Sequence, residues 1–154
     1  MAITLRELDE TTLPLLLRAA VAGAEPDDVM PPLDGPSGWT EPRREAFRAF
    51  HRARSIATPA PVERTWVILC DSEVVGAGRL EPVPDGVEIG IWLGRRARGR
   101  GVGRAAVDLL VEQARTGGSS PRRPRPTAPR SDSWTPWEPR RPRRTTQDDG
   151  LLPL

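Results

Sequence analysis

The sequence predicts an α+β fold, a mixed sheet with flanking helices in the order β-α-α-β-β-β-α. Three observations predict it. Residues 65–93 hold three apolar, β-branched runs separated by short turn signals, which reads as an antiparallel meander. Upstream, Thr11 to Gly23 and Glu41 to Arg54 carry apolar residues at helical spacing. The last strand runs through a basic, glycine-rich loop straight into a further amphipathic helix that opens near Gly101.

Residues 2–6 (AITLR) read as a short first strand. Thr11 or Thr12 can cap the first helix, and Pro14 is tolerated in its first turn. Leu13, Leu16, Leu17, Ala20 and Val21 form its apolar stripe, and Gly23 ends it. Residues 24–38 are polar and proline-rich, a loop. Thr40 caps a second helix from Glu41 to about Arg54, with Pro42 in the first turn and Ala46, Phe47, Ala49, Phe50 and Ala53 as apolar surface. His51, the only histidine, is expected to be a surface or half-packed residue of that helix. Thr65 to Cys70 is the next strand. Asp71-Ser72 turns it into Glu73 to Leu80, and Pro84-Asp85-Gly86 turns that into Val87 to Leu93. Cys70 reads as a buried strand residue.

The composition narrows the function. The 154-residue chain has no lysine and no tyrosine, and its net charge of +2 is unevenly placed. Residues 1–116 carry 15 Arg against 17 acids, while residues 117–154 carry 8 Arg against 4. A single cysteine rules out an internal disulfide and fits a reducing compartment. The N-terminus shows no apolar signal region and no stretch has transmembrane length, so a cytoplasmic protein without a membrane partner is expected. No metal site is predicted.

The chemistry gathers in residues 88–115. Glu88 to Leu93 is the strand; Val102, Ala105, Ala106, Leu109 and Leu110 recur at helical spacing, and Val107, Val111 and Ala114 widen the apolar face. Gly99, Gly101 and Gly103 sit where loop becomes helix, flanked by Arg98, Arg100 and Arg104. A helix N-terminus exposes unpaired N–H groups and a partial positive charge, and glycine lets an anion approach the backbone. A phosphate or pyrophosphate suits such a place. No Gly-Lys-Ser/Thr follows, which excludes a Walker loop. Arg104 stands where the third dinucleotide-fingerprint glycine would fall, and hairpins rather than a βαβ unit precede, which argues against a Rossmann site.

The run Arg98-Gly99-Arg100-Gly101-Val102-Gly103 matches Arg/Gln-x-x-Gly-x-Gly/Ala, and so resembles the acetyl-CoA-binding motif of the GNAT N-acetyltransferase superfamily. Glu88-Ile89-Gly90-Ile91-Trp92-Leu93 looks like the fourth strand of its ribosomal-protein-type N-acetyltransferase branch. The resemblance covers about residues 2–116, so 1–116 is expected to be an incomplete GNAT-like domain. It implies an N-acetyltransferase that moves an acetyl group from acetyl-CoA to a primary amine on a small molecule or protein. Arg98 to Arg104 would hold the pyrophosphate. Ile91, Trp92 and Leu93 match the bulged positions whose amides hold the pantetheine arm and acetyl carbonyl, with Gly90 easing the bulge. Glu88, the only carboxylate on the strand, is the candidate general base, its proton affinity tuned by partial burial. An ordinary exposed strand residue is the alternative for Glu88, and core filler for Trp92.

Beyond Thr116 the chain changes character. Residues 121–144 hold 8 Arg and 7 Pro with no hydrophobic periodicity, where the family fold continues with a fifth strand, a fourth helix and a hairpin. Pro121, Pro124, Pro126 and Pro129 each remove a ladder donor and exclude a central strand. The family's usual tyrosine proton donor has no counterpart in a chain without tyrosine. Residues 117–154 are therefore expected to be a disordered Arg/Pro-rich tail. A shifted reading frame in a GC-rich gene is favoured as its origin over a native extension. The alternative functions are a catalytically impaired CoA-binding remnant and, less favoured, nucleic-acid binding by the tail, whose arginines lie among Trp134 and Trp137. A homodimer is left open. The loop from Glu25 to Trp39 is acidic, which weakly suggests a cationic acceptor.

Overall fold

The computed structural model describes residues 1–116 and 125–126. Three antiparallel pairings build most of the sheet: β1 (Ile3–Glu7) on β2 (Arg64–Cys70), β2 on β3 (Glu73–Val83), and β3 on β4 (Gly86–Leu93). A two-residue β5 (Arg125–Pro126) adds parallel to β4 at Gly86 and Val87. The strand order is β1-β2-β3-β4-β5; β5 lies at the end of that order and is not the central strand that the prolines were expected to exclude. Among the described residues β5 is at the sheet's edge, a position where a proline is tolerated. The rest of residues 117–154, including the expected tail, lies outside the described residues.

The β2–β3 hairpin turns at Asp71 and Ser72, with φ of 48° and 69°. Two consecutive positive φ values make the turn type whose twist matches paired strands. The Asp71 side chain also accepts from the Ala2 N–H at 2.8 Å, closing β1 onto the turn.

Helices cover both faces. On one face α1 (Leu13–Gly23) and α3 (Glu41–His51) bury Leu13, Leu16, Leu17, Ala20 and Phe47 against Val67, Ala77 and Trp92. On the other, α4 (Val102–Thr116) buries Val102, Ala106 and Leu110 against Ile68, Leu93, Trp66 and Leu80. α4 sits close: a Cβ at Gly78 would come within 2.6 Å of Leu110 Cδ1. Of the predicted stripes, Leu13, Leu16, Leu17 and Ala20 of α1 and Val102, Ala106 and Leu110 of α4 are buried, whereas Val21, Ala105, Val107, Leu109, Val111 and Ala114 are half-buried.

Four local expectations need correction. The side chain that caps α1 is Asp9, whose Oδ1 accepts from the Thr11 and Thr12 N–H groups at 2.9 and 2.8 Å. Thr12 is already helical, and its Oγ1 turns back to accept from the Asp9 N–H at 2.9 Å. The loop 24–38 contains a short helix, α2 (Pro26–Val29). α3 starts on the Thr40 cap as expected, with Oγ1 3.4 Å from the Arg43 N–H. It gives way after His51 to one π-helical turn, Arg52–Ile56. Finally, Ala49 and Ala53 are exposed, while Arg43, Phe47 and His51 form the inward row at i, i+4 and i+8. Arg43 can be buried because its guanidinium donates to the Leu33, Gly35 and Gly38 carbonyls at 2.8, 3.4 and 3.3 Å.

Candidate active site at the β4–α4 junction

The chain leaves β4 through Gly94, whose N–H donates to the Val75 carbonyl at 2.8 Å. A 3-10 turn, Arg95–Ala97, comes next, then extended Arg98. The Arg98 Nε donates to the Leu93 carbonyl at 3.0 Å, tying the loop back to the strand end. Gly99 and Gly101 take φ of +70° and +79°, a left-handed backbone that only glycine adopts without steric cost. A Cβ at either would meet nothing within 4 Å, so backbone conformation rather than packing selects glycine there. Gly103 is different. It is helical, and a Cβ on it would make ordinary contact 3.5 Å from Leu93 Cδ1.

α4 begins at once, with the Ala105 N–H bonded to the Gly101 carbonyl at 3.2 Å. Its first turn carries no acid, and Arg100 and Arg104 are exposed beside it. A 15-residue helix thus directs its N–H groups and partial positive charge towards an open, arginine-flanked backbone cradle. That cradle fits a phosphate group: it is cationic and free of side-chain obstruction at both left-handed glycines.

β4 places its residues by alternation. Val87, Ile89, Ile91 and Leu93 pack on the α4 side, whereas Trp92 belongs to the α1–α3 core and is fully buried. Core packing is thus what the Trp92 side chain does, and its Nε1 has no hydrogen-bond partner among the described residues. The Trp92 side chain is therefore out of a ligand's reach, Leu93 is buried and Ile91 is half-buried. The expected bulge in β4 is corrected. Pairing with β3 runs unbroken from Val83–Gly86 to Gly76–Leu93. The extra residue is Val75 in β3, opposite the step from Ile68 to Leu69. Gly90 serves another end: a Cβ there would lie 2.7 Å from Arg79 Nε and 3.1 Å from its Cγ. On its far side β4 is paired by β5 at Gly86 and Val87, and by no other strand among the described residues.

Glu88 shares the α1–α3 face with a charge network that the sequence reading did not find. Its Oε1 lies 3.5 Å from Arg79 Nη2, and Arg79 Nη1 is 3.1 Å from Glu63 Oε2 and in contact with Glu81 Oε2. Arg54, from the π turn, reaches Glu63 and Glu81 at 3.3 and 3.6 Å. Glu63 is fully buried and the Arg79 side chain is 4% exposed, while Glu88 keeps 25% of its side chain in solvent. Three carboxylates and two guanidiniums leave a formal charge of −1 at this end of the sheet. An arginine interrupting an apolar strand, with a glycine falling opposite it once the hairpin is in register, was the available signal.

His51 is nearby and wholly buried, edge-on to the Phe47 and Phe50 rings at 4.6 and 5.2 Å. The surface or half-packed position expected for it is thereby corrected. Burial, reinforced by the Arg54 charge, lowers its pKa to about 3, so the ring is neutral near pH 7.

Comparison with known proteins decides the family. The Acetyltransferase (GNAT) family model matches residues 29–122, well over half of the chain. The chain belongs to the GNAT acetyltransferase family. Solved structures agree in fold. An acetyltransferase from Thermus thermophilus superposes with a TM-score of 0.54 at 16% identity, covering 73% of this chain and 69% of that one. The spermidine N-acetyltransferase from Vibrio cholerae, solved with CoA and spermine, gives 0.51 at 14% identity, covering 74% and 64%. A putative acetyltransferase, also from Thermus thermophilus, gives 0.50 at 24% identity, covering 74% and 57%. This GNAT chain therefore spans between just over half and about two thirds of the length of those structures. No curated protein sequence matches it. Among the described residues, no helix is long and apolar enough to cross a membrane, and no group of three or more His, Cys, Asp or Glu is arranged to hold a metal ion.

Proposed function

We propose that this chain is an acetyl-CoA-dependent N-acetyltransferase whose acceptor is a primary amine on a small molecule or protein. The observation that carries the reading is the pair of left-handed, unobstructed glycines at the N-terminus of α4, directly after β4, in a chain of the GNAT family. Gly99, Gly101, Gly103 and the first turn of α4 would hold the pyrophosphate, with Arg98, Arg100 and Arg104 supplying charge. Backbone groups of Ile91, Trp92 and Leu93 would orient the pantetheine arm and the acetyl carbonyl. Acetyl-CoA supplies the activated acyl group as a thioester. The amine reaches the site largely as an ammonium ion without a lone pair, so it must give up a proton before it can attack. Glu88 is the carboxylate of β4 and would accept that proton.

The test has two arms. Saturable binding of CoA at physiological salt is expected. Among candidate amines, turnover is expected to fall by about 10²–10⁴-fold in Glu88→Gln, the usual scale for loss of a general base, with CoA affinity little changed. CoA binding without turnover on any amine would instead favour a CoA-binding remnant. The observation behind that second reading is the short reach of β5, which among the described residues leaves β4 from Glu88 to Leu93 without a strand on its far side.

A further inference from the structure

Glu88 does not stand alone, and the residue that holds it is itself held on all sides. Arg79 lies on β3 two residues from Glu88's partner, on the same face: Arg79 pairs with Gly90, and Glu81 pairs with Glu88. Two carboxylates therefore face each other across the ladder, an arrangement that is repulsive unless a cation lies between them. The Arg79 guanidinium is that cation. It touches Glu81 through Nη1 and stands 3.5 Å from Glu88 through Nη2. Fully buried Glu63 accepts from the same Arg79 Nη1 at 3.1 Å. Its stem crosses Gly90, where a side chain as small as a methyl would displace it.

From this geometry we infer that Arg79 is the positioning residue for Glu88, and that Gly90 is glycine in order to admit it. The inference rests on the base role proposed above. Arg79 touches no reacting atom; it sets where the Glu88 carboxylate points. The charged groups around the pair are Glu81 on β3, Glu63 ahead of β2, and Arg54 beyond α3, with neutral His51 behind Arg54. Arg54 lies between Glu63 and Glu81, and Arg79 contacts Glu81, Glu63 and Glu88.

Gly90→Ala and Arg79→Lys test this, because each keeps the cation while disturbing its placement. Both are expected to move the acidic limb of the kcat–pH profile upward by about one pH unit, the low end for a displaced opposite charge. Well below the midpoint of that limb kcat should fall about tenfold, with KM for acetyl-CoA unchanged. Arg79→Lys should recover part of what Arg79→Met loses. The same upward move is expected in the Glu88 side-chain carboxyl resonance, followed by carbon NMR as a function of pH. That readout needs no turnover, and misfolding of Arg79→Met would not affect it in Gly90→Ala. If Glu88→Gln loses the acidic limb but Gly90→Ala and Arg79→Lys keep the wild-type limb and titration, the positioning role is overturned and the base stands. A wild-type limb in Glu88→Gln overturns both.

Discussion

Gly23, the last residue of α1, lies against Gly94, the first residue beyond β4. A Cβ on Gly23 would come within 2.9 Å of the Gly94 Cα, a separation no side chain tolerates. Two glycines thus let the end of a core helix meet the start of the candidate phosphate loop, backbone to backbone. Gly23→Ala is expected to destabilise the fold by about 1–3 kcal/mol, the cost of overpacking against rigid backbone. Any gain in helix propensity is under about 1 kcal/mol and does not offset it. Gly94→Ala is expected to be nearly neutral, since its φ is −59° and its Cβ would sit 3.5 Å from the nearest atom. Urea unfolding of the two variants checks this; equal midpoints would contradict the asymmetry.

The phosphate loop separates two kinds of arginine. Arg100→Ala removes an exposed charge, so its effect on CoA affinity should shrink as salt rises. Arg98→Ala removes charge and also the Nε bond to the Leu93 carbonyl, so part of its loss should persist at high salt. Gly101→Asp should abolish binding, because it puts a carboxylate where the phosphate would sit and forces a left-handed residue other than glycine. Calorimetric titration with CoA at low and high salt distinguishes these outcomes. Salt slopes that match for both arginine variants would mean the Arg98 tether is incidental.

His51 makes the fold sensitive to acid in a defined window. Its pKa is lowered from 6.5 to about 3, so the unfolded chain binds the proton more readily. Its contribution is complete above pH 6.5 and is lost as pH falls from there towards 3, by about 1.4 kcal/mol per unit. Two units cost roughly 3 kcal/mol, a large share of a total stability of about 5–15 kcal/mol. His51→Leu should flatten the dependence of stability on pH below 6.5, whatever it does to stability at pH 7. Urea unfolding midpoints between about pH 4.5 and 7 measure the slope, and an unchanged slope would assign the acid sensitivity elsewhere.

Legibility in the sequence depended on the kind of force involved. The meander, the α1 stripe and the start of α4 were readable because apolar periodicity and turn residues dictate them locally. The inward row of α3 was not: Arg43 and His51 count as polar, yet loop carbonyls satisfy Arg43, and rings enclose His51. The left-handed glycines of the loop were readable as a motif, whereas the Arg79 bridge depends on register across a hairpin. Its partners stand at positions 63, 81 and 88, and Arg54, from the turn after α3, reaches two of them. The bulge was expected in β4 by family analogy and falls in β3, where Val75 turns its carbonyl to Gly94.

The family model matches as far as residue 122, six residues beyond the end of α4. The family fold places a fifth strand along the fourth, forming one wall of the cofactor groove. Here β5 reaches only Gly86 and Val87 among the described residues, and residues 121–144 hold 7 Pro and 8 Arg. Ile89, Ile91 and Ala114 are only partly buried around this end of the sheet. Each large apolar side chain newly covered would add roughly 1.5–3 kcal/mol, enough to change a marginal domain. An unpaired edge is also a template for association. The gene should therefore be read in all three frames around codons 112–120, and the chain remade in the frame that restores an apolar strand after Gly118. That form is expected to unfold at higher urea, to stay monodisperse at higher concentration and to acetylate amines faster. If it is no more stable and no more active than the present chain, the arginine- and proline-rich segment is native and the reading-frame explanation fails.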